Sequence, residues 1–179
     1  MKPRASHLAA FAGAVLLAGC ASGNQAATPN ERVLATTETG TVRSHDPVTT
    51  DSVVSASPDS AFAALKAAYK DLGIEIKTID AAAREIGNRR FTKMYDIAGV
   101  KLSKYVGCGS SETGPTADSY RITMSIISRV IPSPEGSRID TELTATAQDP
   151  GTSKGSLSCT SLGGLEQRIH ALTAKHLGA

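Results

Sequence analysis

From Tyr120 onward, apolar and polar residues alternate. Tyr120, Ile122, Met124, Ile126 and Val130 are interleaved with Arg121, Thr123, Ser125 and Arg129. A period of two sorts the sets onto opposite sides of a strand, so 120–131 predicts a long strand with one wet face. Residues 132–136 (Pro-Ser-Pro-Glu-Gly) supply a turn, and a partner strand follows. It sends Ile139, Thr141, Leu143, Ala145 and Ala147 inward, and Arg138, Asp140, Glu142, Thr144 and Thr146 outward.

Elsewhere the period lengthens to that of a helix. Phe62, Leu65, Tyr69 and Leu72 follow Ser57-Pro58-Asp59, which offers an N-cap, a proline at the first helical position and an acid at the positive dipole end. Gly73 stands where the chain must turn out of the helix. Leu162, Leu165, Ile169, Leu172 and Leu177 mark a second helix at the C-terminus. Thr50–Ser55 predicts an opening strand, and Ile74–Ile79 with Arg84–Asn88 a hairpin turning at Asp80–Ala83. The stretch 89–107 predicts irregular structure with room for a short helix. The fold class is therefore α+β: an antiparallel sheet packed against an N-terminal and a C-terminal helix, in the order β-α-β-β-irregular-β-β-α.

The N-terminus follows different rules. Lys2 and Arg4 precede an apolar run, Leu8 to Ala18, too short for a permanent membrane span. It ends in Leu17-Ala18-Gly19-Cys20, which resembles the lipobox of bacterial lipoproteins. The resemblance implies cleavage before Cys20, acylation of its sulfur and its new amine, and an anchor that does not readily dissociate. Ala21, where an Asp would hold a lipoprotein back, implies the outer membrane with the domain facing the periplasm. Residues 21–47 have few large aliphatics, namely Val33, Leu34 and Val42, and read as a flexible tether. The expected organisation is a signal peptide over 1–19, a lipidated Cys and tether over 20–47, and one domain over 48–179.

That division changes the charge picture. The chain of 179 residues carries 19 basic and 17 acidic side chains, a formal +2. Lys2 and Arg4 leave with the signal peptide, and the remainder is formally neutral, which gives no case for nucleic acid. With four Tyr, three Phe and no Trp, the chain has little stacking surface for bases or sugars.

Cys108 and Cys159 remain once Cys20 is acylated, and each sits among Gly and Ser. In an oxidising compartment they predict a structural disulfide worth about 4 kcal/mol by chain entropy; a redox pair or a thiol metal site are the alternatives, without a C-x-x-C or a nearby His. Gly151-Thr152-Ser153-Lys154-Gly155 matches G-x-S-x-G but lacks the buried strand and following helix of a nucleophile elbow, so a loop is expected. Gly107-Cys108-Gly109 with Gly114 lacks the Lys-Ser/Thr end of a phosphate loop. His45-Asp46 with Asp51 falls largely in the tether. His170 and His176 are spaced off a shared helix face, and His176 is read as a cap or part of the apolar stripe. Neither His set predicts a metal site, and no cofactor is expected. Arg89, Arg90 and Lys93 form a basic run, a solvated face or a contact for lipid headgroups or an acidic partner.

The run from Val54 through Ser57-Pro58-Asp59, Leu72-Gly73-Ile74, the Asp80-to-Gly87 hairpin, two long alternating strands and a closing helix resembles the BamC-type domain. That family comprises lipoprotein subunits of the outer-membrane barrel-assembly machine, and its helix-grip topology is shared with START-like folds. The resemblance covers roughly residues 49–178. The chain departs from it in having one such domain, no recognisable subunit-binding segment in 21–47, and the Cys108/Cys159 pair. Cys108-Gly109, and Cys159 ahead of Leu165-Glu166-Gln167-Arg168-Ile169, also resemble segments of bacterial lipoproteins of unassigned role. The expected function is non-enzymatic: a membrane-anchored adaptor or accessory factor in envelope assembly that binds a protein partner. A tethered carrier of a lipid or small hydrophobic ligand is the alternative.

Overall fold

The computed structural model describes residues 31–37, 40–45, 48–152 and 155–178. Strands β1 (Glu31–Thr37) and β2 (Gly40–His45) pair with each other. Then come β3 (Val48–Val54), helix α1 (Pro58–Asp71), β4 (Thr78–Asp80) and β5 (Glu85–Lys93). Five two-residue strands follow: β6 (Asp96–Ile97), β7 (Val100–Lys101), β8 (Val106–Gly107), β9 (Ser110–Ser111) and β10 (Gly114–Pro115). The chain closes with β11 (Arg121–Ser133), β12 (Gly136–Gln148), β13 (Leu157–Ser161) and helix α2 (Gly164–His176).

The main sheet runs β4-β5-β11-β12 with antiparallel neighbours. Beyond β12 the edge is divided: β3 pairs with Ser137–Leu143, and β13 pairs with Ala145–Ala147 and carries β8 on its far side. The fold is α+β, with both helices on one face of a largely antiparallel sheet.

The β11–β12 hairpin keeps one unbroken register from Arg121↔Gln148 to Ser133↔Gly136. Every second residue is buried, Ile122 to Val130 on β11 and Ser137 to Ala147 on β12, as the alternation predicts. Gly136, at φ +131°, closes the turn, and a Cβ there would stand 2.4 Å from the Val54 carbonyl oxygen. Only glycine fits that approach. Helix α1 starts as expected. Ser57 accepts from the Ser60 backbone N–H, Pro58 opens the helix, and Gly73 turns the chain at φ +62°.

Several expectations need correction. The strand expected over 74–79 pairs only at Thr78–Asp80; before it, Asn88 donates its side-chain amide to the Glu75 carbonyl and takes the place of ladder bonds. Its partner is longer than Arg84–Asn88, because β5 runs on to Lys93 and claims the first residues of the stretch expected to be irregular. That continuation needs a β-bulge between Asn88 and Phe91, where the register against Met124–Ile126 shifts. Residues 94–107 are irregular as expected, with a one-turn 3-10 helix at Leu102–Lys104, and the irregular run continues to 119 through a second at Thr116–Asp118. The Ser-rich lead-in to the last helix pairs as β13. Leu162 precedes α2 and is exposed, while Leu177 follows it and is half-buried. Glu31–Thr37 and Gly40–His45, which fall within the expected tether, pair antiparallel, and Val33, Thr36, Thr37, Thr41 and Val42 are β-branched residues that favour extended backbone.

Candidate functional site

The space between sheet and helices is filled. Leu65 and Tyr69 of α1, Ile122, Met124 and Ile126 of β11, Ile139 and Leu143 of β12, and Leu165 and Ile169 of α2 are each at most 1% exposed. Through this apolar filling runs a chain of hydroxyls that the alternation alone does not reveal. The Tyr69 hydroxyl meets Ser128 Oγ at 2.9 Å, Ser128 Oγ meets Thr141 Oγ1 at 2.8 Å, and Thr141 Oγ1 meets His170 Nε2 at 2.9 Å. The links come in order from α1, β11, β12 and α2, so one polar thread crosses both layers.

Burial sets the ionisation of this thread. It raises the Tyr69 phenol far above its ordinary range, so the group stays protonated. Burial also lowers His170, against the opposing pull of Asp51 and Asp140, and favours the neutral imidazole. One turn before His170, Glu166 is fully buried. Its Oε1 accepts from the Ser161 hydroxyl, Oε2 has no partner, and desolvation raises its pKa. A carboxyl so placed holds its proton more tightly than one in water.

The irregular segment is fastened to this body at several points. Cys108 and Cys159 form a disulfide with Cα atoms 4.4 Å apart, which ties the loop after β8 to β13. Arg168 of α2 donates to the Tyr105 hydroxyl (2.5 Å) and to the carbonyls of Ala98 (3.2 Å) and Ile97 (3.4 Å). Asp118 accepts from both the backbone N–H and the hydroxyl of Ser103, each at 2.8 Å. A Cβ on Gly164 would lie 2.6 Å from the Lys104 carbonyl oxygen, so α2 begins on a residue with no side chain to give.

The outer face of the sheet is open. A shallow depression of about 390 Å³ is lined by Arg89 and Arg90 at the β5 bulge, Thr123 and Ser125 of β11, Thr144 and Thr146 of β12, and Ser158 of β13, with no carboxylate in its wall. Arg89 is held by Glu85 at 2.9 Å, and Glu85 also takes Arg129 at 2.5 Å. Among the described residues the Arg90 guanidinium has no partner; only its backbone N–H is engaged, by Asn88 Oδ1. A neighbouring depression shares Arg89, Ser125 and Thr144 but also contains Glu85, Glu142 and Arg129. Charge on the outer face therefore changes along the strands, from the unpaired Arg90 to arginines that stand among carboxylates.

Of the residues singled out in sequence, Arg89 and Arg90 come together in this depression, and half-buried Lys93 lies three residues further along β5. Cys108 and Cys159 meet. Leu17, Ala18, Gly19 and Cys20 lie outside the described residues, as do Asp46, Ser153 and the side chain of His45. Lys154 is likewise outside them, and Gly151, Thr152 and Gly155 of the G-x-S-x-G match lie between β12 and β13. His176 is not in the apolar stripe: it is exposed at the end of α2, 2.8 Å from Asp71 of α1. The buried histidine is His170, whose i, i+4 relation to Glu166 was the available signal. Among the described residues no group of three or more His, Cys, Asp or Glu could hold a metal ion, and no helix is long and apolar enough to cross a membrane.

No family model matches the chain, and neither a curated protein nor a solved structure matches it.

Proposed function

We propose that this chain is a non-enzymatic envelope lipoprotein, acylated at Cys20 and anchored in the outer membrane, whose BamC-like domain works as an adaptor at the periplasmic surface. One observation favours the adaptor over the carrier. In a helix-grip carrier the ligand lies between sheet and helices, and here Tyr69, Leu65, Met124, Ile126, Ile139 and Leu165 occupy that space. The Tyr69–Ser128–Thr141–His170 thread lies within that same interior and serves as internal bracing. The irregular segment, held by the disulfide and Arg168, gives the domain an ordered loop surface of the kind that partner recognition uses.

Native mass spectrometry of the chain recovered from its own host in detergent is the test. The expected species begins at Cys20, carries diacylglycerol and an amide-linked acyl chain, and releases no further small molecule on activation. A mass that keeps residues 1–19, or an unacylated Cys20, contradicts the anchor. A stoichiometric lipid released on activation contradicts the adaptor in favour of the carrier.

A further inference from the structure

We infer that the Arg89–Arg90 depression is a second, non-covalent membrane contact, which takes the phosphate groups of anionic phospholipid headgroups. The inference rests on the lipoprotein reading above, because that reading keeps a bilayer within a short tether of the domain.

The wall of the depression sets what it can bind. Its side-chain polar groups are two guanidinium groups and hydroxyls, so a complementary group must be anionic and rich in acceptors. A guanidinium fork fits a phosphate in two-point fashion, and Arg90 has every donor of its fork free of partners among the described residues. The bulge is what puts two consecutive arginines here. In regular strand geometry Arg89 and Arg90 would point to opposite faces, whereas the extra residue opposite Ser125 lets both line one depression.

Strand pairing supplies the second argument. The ladder of β3 on β12 ends at Val48↔Leu143, and that of β13 begins at Ala145↔Cys159. β3 therefore begins its pairing one residue from Thr144, and Thr144 lines the depression, so the described domain enters its main sheet at the end where the arginines are. At the other end of the face Arg129 and Arg138 stand among Glu85, Asp140 and Glu142, which gives a bilayer no net attraction there. The domain thus leans on one end of its sheet and leaves α1 and α2 directed away.

The test uses the mature chain with Cys20→Ser, which cannot be acylated, in co-sedimentation with vesicles of phosphatidylglycerol and phosphatidylcholine, and with vesicles of phosphatidylcholine alone. The expected result is binding to the anionic vesicles only, weakened about fivefold by loss of each arginine and further by added salt. Arg90→Gln alone lowers binding without touching a folded-state contact, and Arg90→Lys retains part of it. Equal binding by the parent and the Arg89→Ser/Arg90→Ser double variant overturns the inference, as does no binding by the parent. Tighter binding of the Cys20→Ser chain to inorganic phosphate or to an acidic peptide than to the anionic vesicles overturns it in favour of a soluble anion or an acidic protein. Acylation of Cys20 is read separately, by mass. An acylated chain whose Cys20→Ser form ignores vesicles fails the inference and spares the anchor; a vesicle-binding chain with an unmodified Cys20 does the reverse.

Discussion

The two faces of the sheet are built from the same strands, one residue out of step, and they obey different chemistry. Ile126 points inward and is fully buried; Ile127, its neighbour, points outward and is only half-covered. On the inner face of β11 and β12 the polar residues are small and uncharged, and Ser128 and Thr141 are bonded to each other. On the outer face they are charged or hydroxyl-bearing, and Arg90 has no partner among the described residues. The difference teaches where binding chemistry can reside. A polar group that is already bonded on the inside holds the layers together, and one left unbonded on the outside is free for a ligand.

The comparison breaks most visibly under truncation. Ile126→Ala opens a cavity in the packed interior and is expected to cost about 3 kcal/mol, read by chemical denaturation, whereas Ile127→Ala costs less than about 1 kcal/mol. Equal losses would mean that the two faces are not packed differently. Next in size is Thr141→Val, which cuts the hydroxyl thread at its middle and leaves Ser128 and His170 each one partner short. The expected cost is about 2 kcal/mol, against less than about 0.5 kcal/mol for Thr144→Val on the outer face.

A third prediction follows from protonation. His170 has a lowered pKa when folded, so the unfolded chain binds more protons between that value and the ordinary histidine range. Stability therefore falls as the pH drops through about 6.5. Glu166 has the opposite sign. Its raised folded pKa makes the folded chain bind more protons just above the ordinary carboxylate range, so its contribution falls as the pH rises through that window. Thermal melts of His170→Gln should lose the decline near neutrality, and those of Glu166→Gln should gain stability at pH 7 relative to pH 4.5. The smallest expected effect is on Ala98, which sits at φ +49° in the β6–β7 turn. Ala98→Gly should relieve it by about 0.5–1 kcal/mol.

How far the sequence foretells this molecule depends on the same alternation. The β11–β12 hairpin and α1 are legible because their periods are clean and their ends carry turn and cap residues. The inner thread is not legible, because Ser128 and Thr141 look like breaks in an apolar pattern and only the fold brings them within reach of Tyr69 and His170. In α2, Glu166 and His170 share the buried face with Leu165 and Ile169, and a stripe drawn through leucines alone passes over them. The disulfide is legible from cysteine count and setting. The depression at Arg89–Arg90 is half legible: the basic run is plain, but the bulge that turns both side chains to one face has no local sequence mark beyond Gly87, where a Cβ would lie 2.1 Å from the Ile126 carbonyl oxygen.

The central claim is that the interior is closed bracing and that the outer face meets the cell envelope. In-cell photo-crosslinking tests it most directly, with the reactive group placed at Thr144 on the outer face or at Lys175 on the exposed side of α2. Lipid adducts are expected from Thr144 and none from Lys175. Adducts from Lys175 alone would contradict it.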